Sequence, residues 1–139
     1  MTGDLAGIER RSVLDPIAVF AVDDHSAFLR SVELVIAATP GFVLVGTAES
    51  GLGALDALAE RADIDLVLLD VNLPDLSGID VARRLAQAGG GPVVVLMSTM
   101  DPDDLSAGAL ERGVAGFLSK ELLTTRALRA AWDAAADRS

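Results

Sequence analysis

Cysteine is absent, aromatic residues make up 4% of the chain, and there is one histidine, His25, and one tryptophan, Trp132. Without cysteine there is no disulfide, no thiolate zinc site and no cysteine nucleophile. One histidine is too few for an ordinary zinc site. With so few aromatics, the core must be built from Val, Leu, Ile and Ala, a mixture that suits helices packed on a buried sheet.

Basic residues are also scarce, 11 against 21 acidic ones, which gives a formal net charge of −10. Such a field repels nucleic-acid phosphates and anionic membrane surfaces, and no basic stripe offsets it. Direct DNA binding and membrane association are therefore not expected. Long hydrophobic runs are missing as well. Pro92 to Met97 is far too short to cross a bilayer. No basic segment followed by an apolar stretch opens the chain, so a cytoplasmic location is the expectation. Nucleotide loops fail too. Gly51-Leu52-Gly53 has Asp56 where a dinucleotide fingerprint needs its third glycine, and no Gly-x-x-x-x-Gly-Lys run exists.

What is present is a regular alternation. At 139 residues the chain suits a single domain able to bury its own core. Residues 1–15 read as a flexible N-terminal tail, and 16–137 as the domain. Ile17 to Val22, Phe42 to Thr47, Leu66 to Leu69, Val93 to Met97 and Ala115 to Leu118 read as strands. Between and after them come five helical stretches: Ser26 to Ala38, Gly53 to Arg61, the segment marked by Ile79, Val81, Ala82 and Leu85, Asp103 to Arg112, and Glu121 to Ala136. Leu122, Leu123, Leu128 and Trp132 are the expected inner residues of the last one. Five strand–helix units predict an α/β doubly wound parallel sheet with five helices, in the flavodoxin-like order 2-1-3-4-5.

In such a sheet chemistry collects at the carboxyl ends of the strands. The first strand ends in Asp23-Asp24, the third in Asp70, the fourth in Ser98-Thr99 and the fifth in Ser119-Lys120. Gathered on one rim, the carboxylates repel one another unless a cation or a proton intervenes. A hard divalent ion with oxygen ligands, Mg²⁺ above all, resolves that. Lys120 adds a second positive point, so that a phosphoryl group has a place between the two. A carboxylate such as Asp70 can be the nucleophile that forms an aspartyl-phosphate. The plainer roles are helix capping for Asp23 and Asp24, a turn for Asp70 with Asn72 and Pro74, and ordinary core for Phe117.

The run Val22-Asp23-Asp24-His25, the run Leu69-Asp70-Val71-Asn72-Leu73-Pro74 with Gly78, then Ser98, and then Phe117 with Lys120 together resemble the receiver domain of two-component response regulators, the CheY-like superfamily. The resemblance covers Ile17 to Ala136. It is nearest to receivers of the LuxR and FixJ type, which open on Asp-Asp-His and usually carry a C-terminal helix-turn-helix that does not follow here. It implies that Asp70 accepts the phosphoryl group from a sensor histidine kinase or phosphotransfer protein. It also implies that Asp24 and Asp70 bind Mg²⁺, that Asp23 contributes through water, and that Asn72 offers its backbone carbonyl. Ser98 and Lys120 would hold phosphoryl oxygens. Phe117 would be the switch aromatic that reshapes a surface read by a downstream protein target, with a homodimer through the fourth-helix, fifth-strand, fifth-helix face as an option. Such a domain is not a turnover enzyme beyond its own phosphorylation and dephosphorylation. The alternatives are a receiver-like interaction module that is not phosphorylated, for which Thr99 beside Ser98 speaks, and a small phosphohydrolase, for which a second aspartate is missing.

Overall fold

The computed structural model describes residues 15–89, 91–99 and 113–138. Five strands form one parallel sheet: β1 (Ile17–Val22), β2 (Phe42–Ala48), β3 (Leu66–Asp70), β4 (Val93–Ser98) and β5 (Gly116–Ser119), in the order β2-β1-β3-β4-β5. This is the expected doubly wound arrangement. The described helices are α1 (Ser26–Ala37), α2 (Gly51–Ala59), α3 (Gly78–Ala88) and α4 (Thr125–Arg138). The helix expected over Asp103 to Arg112 lies outside the described residues, as does the tail expected before Asp15.

Strand β3 is buried along its whole length, which is why it reads as a continuous apolar run and not as an alternation. Successive side chains pass to opposite faces and build two cores. One contains Val19, Leu66, Leu68, Val95 and Met97 under Val32 and Ile36 of α1 and Leu128 of α4. The other contains Phe20, Val67, Leu69 and Leu96 under Ala54 and Leu58 of α2 and Val81 and Ala82 of α3. Leu128 is fully buried, so its truncation to alanine costs about 2–5 kcal/mol.

The last helix departs from expectation. Residues Lys120–Leu122 form a short 3-10 turn, and α4 begins only at Thr125, with Thr124 Oγ1 accepting the Ala127 N–H at 3.0 Å. A hydroxyl at this position satisfies an N–H that the first turn of a helix leaves open. Leu122, expected inside, is 69% exposed, while Leu123, Leu128 and Trp132 pack on the core. Helix α2 likewise starts earlier than expected, at Gly51, where Ser50 Oγ accepts the Gly53 N–H at 3.0 Å, and it stops short of Arg61.

Strand β2 lies at the edge and carries a bulge. Leu44 pairs with Val19 and Gly46 with Phe20, so Val45 is the extra residue. Its carbonyl accepts a hydrogen bond from the Arg61 guanidinium at 2.9 Å, and Asp63 braces that guanidinium through Nε and Nη2 at 3.1 and 2.8 Å.

Candidate functional site

The parallel sheet brings the ends of β1, β3, β4 and β5 to one rim. Asp23 and Asp70 are buried there, and Asp24 and His25 are exposed above them. Each of these four residues offers one donor atom, and the four atoms lie within 4.8 Å of one another. Residues far apart in sequence are thus gathered into one acidic pocket.

Lys120 closes the pocket from the end of β5. Its Nζ stands 2.5 Å from Asp23 Oδ2 and 3.3 Å from Asp70 Oδ1. The Phe28 ring, on α1, lies 4.6 Å from the same ammonium, a cation–π distance that steadies the charge without competing for the carboxylates. Asp70 Oδ1 also accepts the Asn72 N–H at 3.2 Å. Asp70 Oδ2 is buried with no hydrogen bond, and Asp23 Oδ2 has the ammonium close by but no aligned hydrogen bond. A buried carboxylate oxygen left this way costs free energy until a proton or cation reaches it.

The electrostatics agree. Burial, and then the negative charge of Asp23, raise the Asp70 carboxyl above the ordinary aspartate value; Lys120 and the Asn72 N–H pull it back only in part. The simple helix-capping role for the Asp23-Asp24 pair does not hold. The cap position of α1 is His25, whose own side chain accepts no cap hydrogen bond, while Asp23 Oδ1 accepts the His25 N–H at 2.8 Å.

The segment after Asp70 is shaped by backbone closure. Gly78 N–H donates to the Val71 carbonyl at 2.7 Å, and Asn72 bridges to Ser77. A Cβ on Gly78 would sit 2.2 Å from the Asp70 carbonyl oxygen, so only glycine permits this approach. Asp75, on the same loop, reaches the first turn of α2: its oxygens accept the Gly51 and Leu52 N–H groups at 2.8 and 2.9 Å. Those two bonds hold its carboxyl below the usual aspartate range.

Ser98 is buried and faces Ser119 in the β4–β5 register. Thr99 is exposed. Phe117 is half-buried and packs on the α2–α3 side of the sheet. The structure therefore collects Asp23, Asp24, Asp70 and Lys120 at one point, with Asn72 hydrogen-bonded to Asp70 and Ser98 on the adjoining strand end. Phe117 belongs to one core face. Two contributors were not singled out from the sequence, and a third, His25, was read there only as part of the motif. Phe28 was legible only as part of an apolar helix stripe. Asp75 acts on a helix that precedes it by two elements. His25 turns its ring back on its neighbours, with Nδ1 3.1 Å from both Asp23 Oδ1 and Asp24 Oδ1.

Residues 19–133 match the family described as response regulator receiver domain. The chain is 31% identical over 122 residues to the nitrate/nitrite response regulator NarL of Escherichia coli K12, a match covering 88% of this chain and 56% of that protein. It is 33% identical over 106 residues to NarP of the same organism, covering 76% of this chain and 49% of NarP. The chain thus spans about half the length of the curated relatives it matches. Among solved structures, the signal receiver domain of the NarL response regulator from Mycobacterium tuberculosis superposes with a TM-score of 0.79 at 30% identity, covering 88% of this chain and 98% of that one. The fold is also that of a chain in the CheX-CheY-BeF3-Mg complex of Borrelia burgdorferi, with a TM-score of 0.76 at 23% identity over 85% of this chain and 87% of the other.

Proposed function

This chain belongs to the response regulator receiver domain family, and from that premise we propose that Asp70 is its phosphoacceptor, that Asp23, Asp24, Asp70 and the Asn72 carbonyl are its Mg²⁺ ligands, and that Ser98 and Lys120 receive the phosphoryl oxygens. The observation that carries this reading is Asp70 Oδ2. It is a buried carboxylate oxygen without a hydrogen bond, in a pocket with two further aspartates, while Lys120 and Asn72 engage the other oxygen.

The donor set fits Mg²⁺. Its three carboxylates are hard oxygen donors, two on buried residues and one on an exposed residue, with the His25 imidazole beside them. When bound there, the cation would neutralise charge on the oxygens in transfer. The chain's own residues supply the rest. Lys120 works against the raising effect of burial on the Asp70 carboxyl and offers a fixed positive point beside it. An Asp70 oxygen bonds to phosphorus as the phosphorus–nitrogen bond of a donor phosphohistidine breaks, and the electron pair leaves with the imidazole. Ser98, at the end of β4, donates a hydrogen bond from its hydroxyl to the transferred group. Phe117, on the neighbouring strand, is the aromatic whose packing follows that change.

The partners this implies are a sensor histidine kinase or phosphotransfer protein and a downstream protein target. A homodimer through the face around β5 and α4 is one output. We place the receiver over 16–137 in the cytoplasm. Among the described residues no helix is long and apolar enough to cross a membrane.

Incubation with acetyl phosphate and Mg²⁺, followed by mass mapping of the modified residue, tests the reading. One phosphoryl group on Asp70, lost in Asp70→Asn, is the expected result. No label under these conditions would favour the module that is not phosphorylated, and a label that maps elsewhere would remove the site assignment.

A further inference from the structure

We propose that His25 is a nitrogen ligand of the acidic pocket, one that makes it prefer late first-row cations such as Ni²⁺ more strongly than oxygen donors alone would. This rests on the pocket reading above and adds to it the choice of metal. His25 Nδ1 lies 3.1 Å from Asp23 Oδ1 and 3.1 Å from Asp24 Oδ1. Adjacent donors on an octahedral cation with bonds of about 2.1 Å are separated by about 3.0 Å. The imidazole nitrogen is therefore spaced from each carboxylate oxygen as a neighbouring donor around one ion would be. Asp70 Oδ2, buried and without a hydrogen bond, is a further oxygen of this group open to an occupant.

The backbone explains why the ring stays there. His25 is the cap residue of α1 in an extended conformation, and its N–H is tied to Asp23 Oδ1 at 2.8 Å. That turn folds the side chain back over the pocket instead of along the helix. His25 Nδ1 lies within hydrogen-bond distance of Asp23 Oδ1 and equally near Asp24 Oδ1. A neutral imidazole with its proton on Nε2 offers the Nδ1 lone pair as a donor. Imidazole suits Ni²⁺ and Zn²⁺, whereas Mg²⁺ strongly prefers oxygen. The nitrogen therefore changes the ratio of affinities more than it changes Mg²⁺ binding.

The test uses the whole chain stripped of metal. Ni²⁺ and Mg²⁺ affinities are measured by calorimetry for the wild type, His25→Ala and His25→Gln, the last keeping a polar side chain at the helix start in case alanine perturbs the fold. Both variants are expected to weaken Ni²⁺ by about tenfold or more and Mg²⁺ by less than about twofold. In parallel, pulsed electron paramagnetic resonance of the Mn²⁺-loaded protein is expected to show a directly bonded nitrogen that disappears in both variants. An unchanged Ni²⁺ to Mg²⁺ ratio, or Mn²⁺ bound with no nitrogen coupling, overturns the assignment of His25 and leaves the aspartate pocket standing. Failure of every cation to bind removes the pocket reading together with it.

Discussion

Lys120 reaches across the end of β4 to place its ammonium 3.3 Å from Asp70 Oδ1. The same group meets Asp23 Oδ2 at 2.5 Å, so a single cation serves two buried carboxylates. Lys120→Ala would strand both. Breaking a buried pair from one side costs about 3–5 kcal/mol, and a loss of that order is expected in urea melts carried out in chelator. Millimolar Mg²⁺ should return much of it, because a bound ion supplies the missing charge. Mg²⁺ itself should bind more tightly to the variant, since a competing cation has gone. A variant as stable as wild type in chelator would show that the ion pair contributes nothing.

Asp70→Asn has a pH signature of its own. Burial and Asp23 hold the Asp70 carboxyl above its ordinary 3.8. The folded protein therefore binds this proton more tightly than the unfolded chain does. Its contribution favours the fold below pH 3.8 and is lost as pH rises through the raised value. Asparagine has no such proton. In metal-free melts from about pH 4 to about pH 8, Asp70→Asn is expected to gain on the wild type as pH rises. A difference that stays flat, or reverses, contradicts an uncompensated carboxylate at this position.

Asp75 works in the opposite direction. Its carboxyl is held below 3.8 by the Leu52 and Gly51 N–H groups. The stability it gives is complete above that value and disappears as pH falls through the lowered one. Asp75→Ala is expected to lower the melting temperature at neutral pH, with the deficit closing only in acid. The same variant should fray the start of α2 in amide exchange, while Asp70 remains able to be labelled. Equal deficits at neutral and acid pH would mean that the charge plays no part.

Gly78→Ala should be among the most damaging small changes in the protein. The new methyl group would occupy a point 2.2 Å from the Asp70 carbonyl oxygen. Either the loop carrying Asn72 moves away or the fold is lost, with a cost on the order of 4 kcal/mol. Cation affinity and acetyl-phosphate labelling should fall together. A variant that labels normally would show that the loop has other ways to close.

The strands and the site residues at their ends were legible because parallel strands buried on both faces leave a plain trace: short branched apolar runs, each stopped by a polar residue. That trace placed Asp23, Asp24, Asp70, Ser98 and Lys120. The boundaries of α4 were not legible in the same way. Leu122 and Leu123 continue the apolar spacing of the helix, yet Thr124 caps a new start and leaves Leu122 in a turn, pointing outwards. Spacing counts residues without sensing a change of axis. The contact of Phe28 with Lys120 and the reach of Asp75 to α2 escaped for a different reason. Each joins elements that only the folded sheet sets side by side, and neither residue type is unusual where it stands.

The bulge at Val45 bears on how the molecule behaves in a crowd. An unprotected outer strand is a template on which further chains can stack. Here an approaching strand meets a ladder thrown out of step, with one of its carbonyls already taken by a braced guanidinium. Concentrated solutions of the protein should therefore resist fibril growth from this side, and Arg61→Ala should shorten the lag before such growth begins.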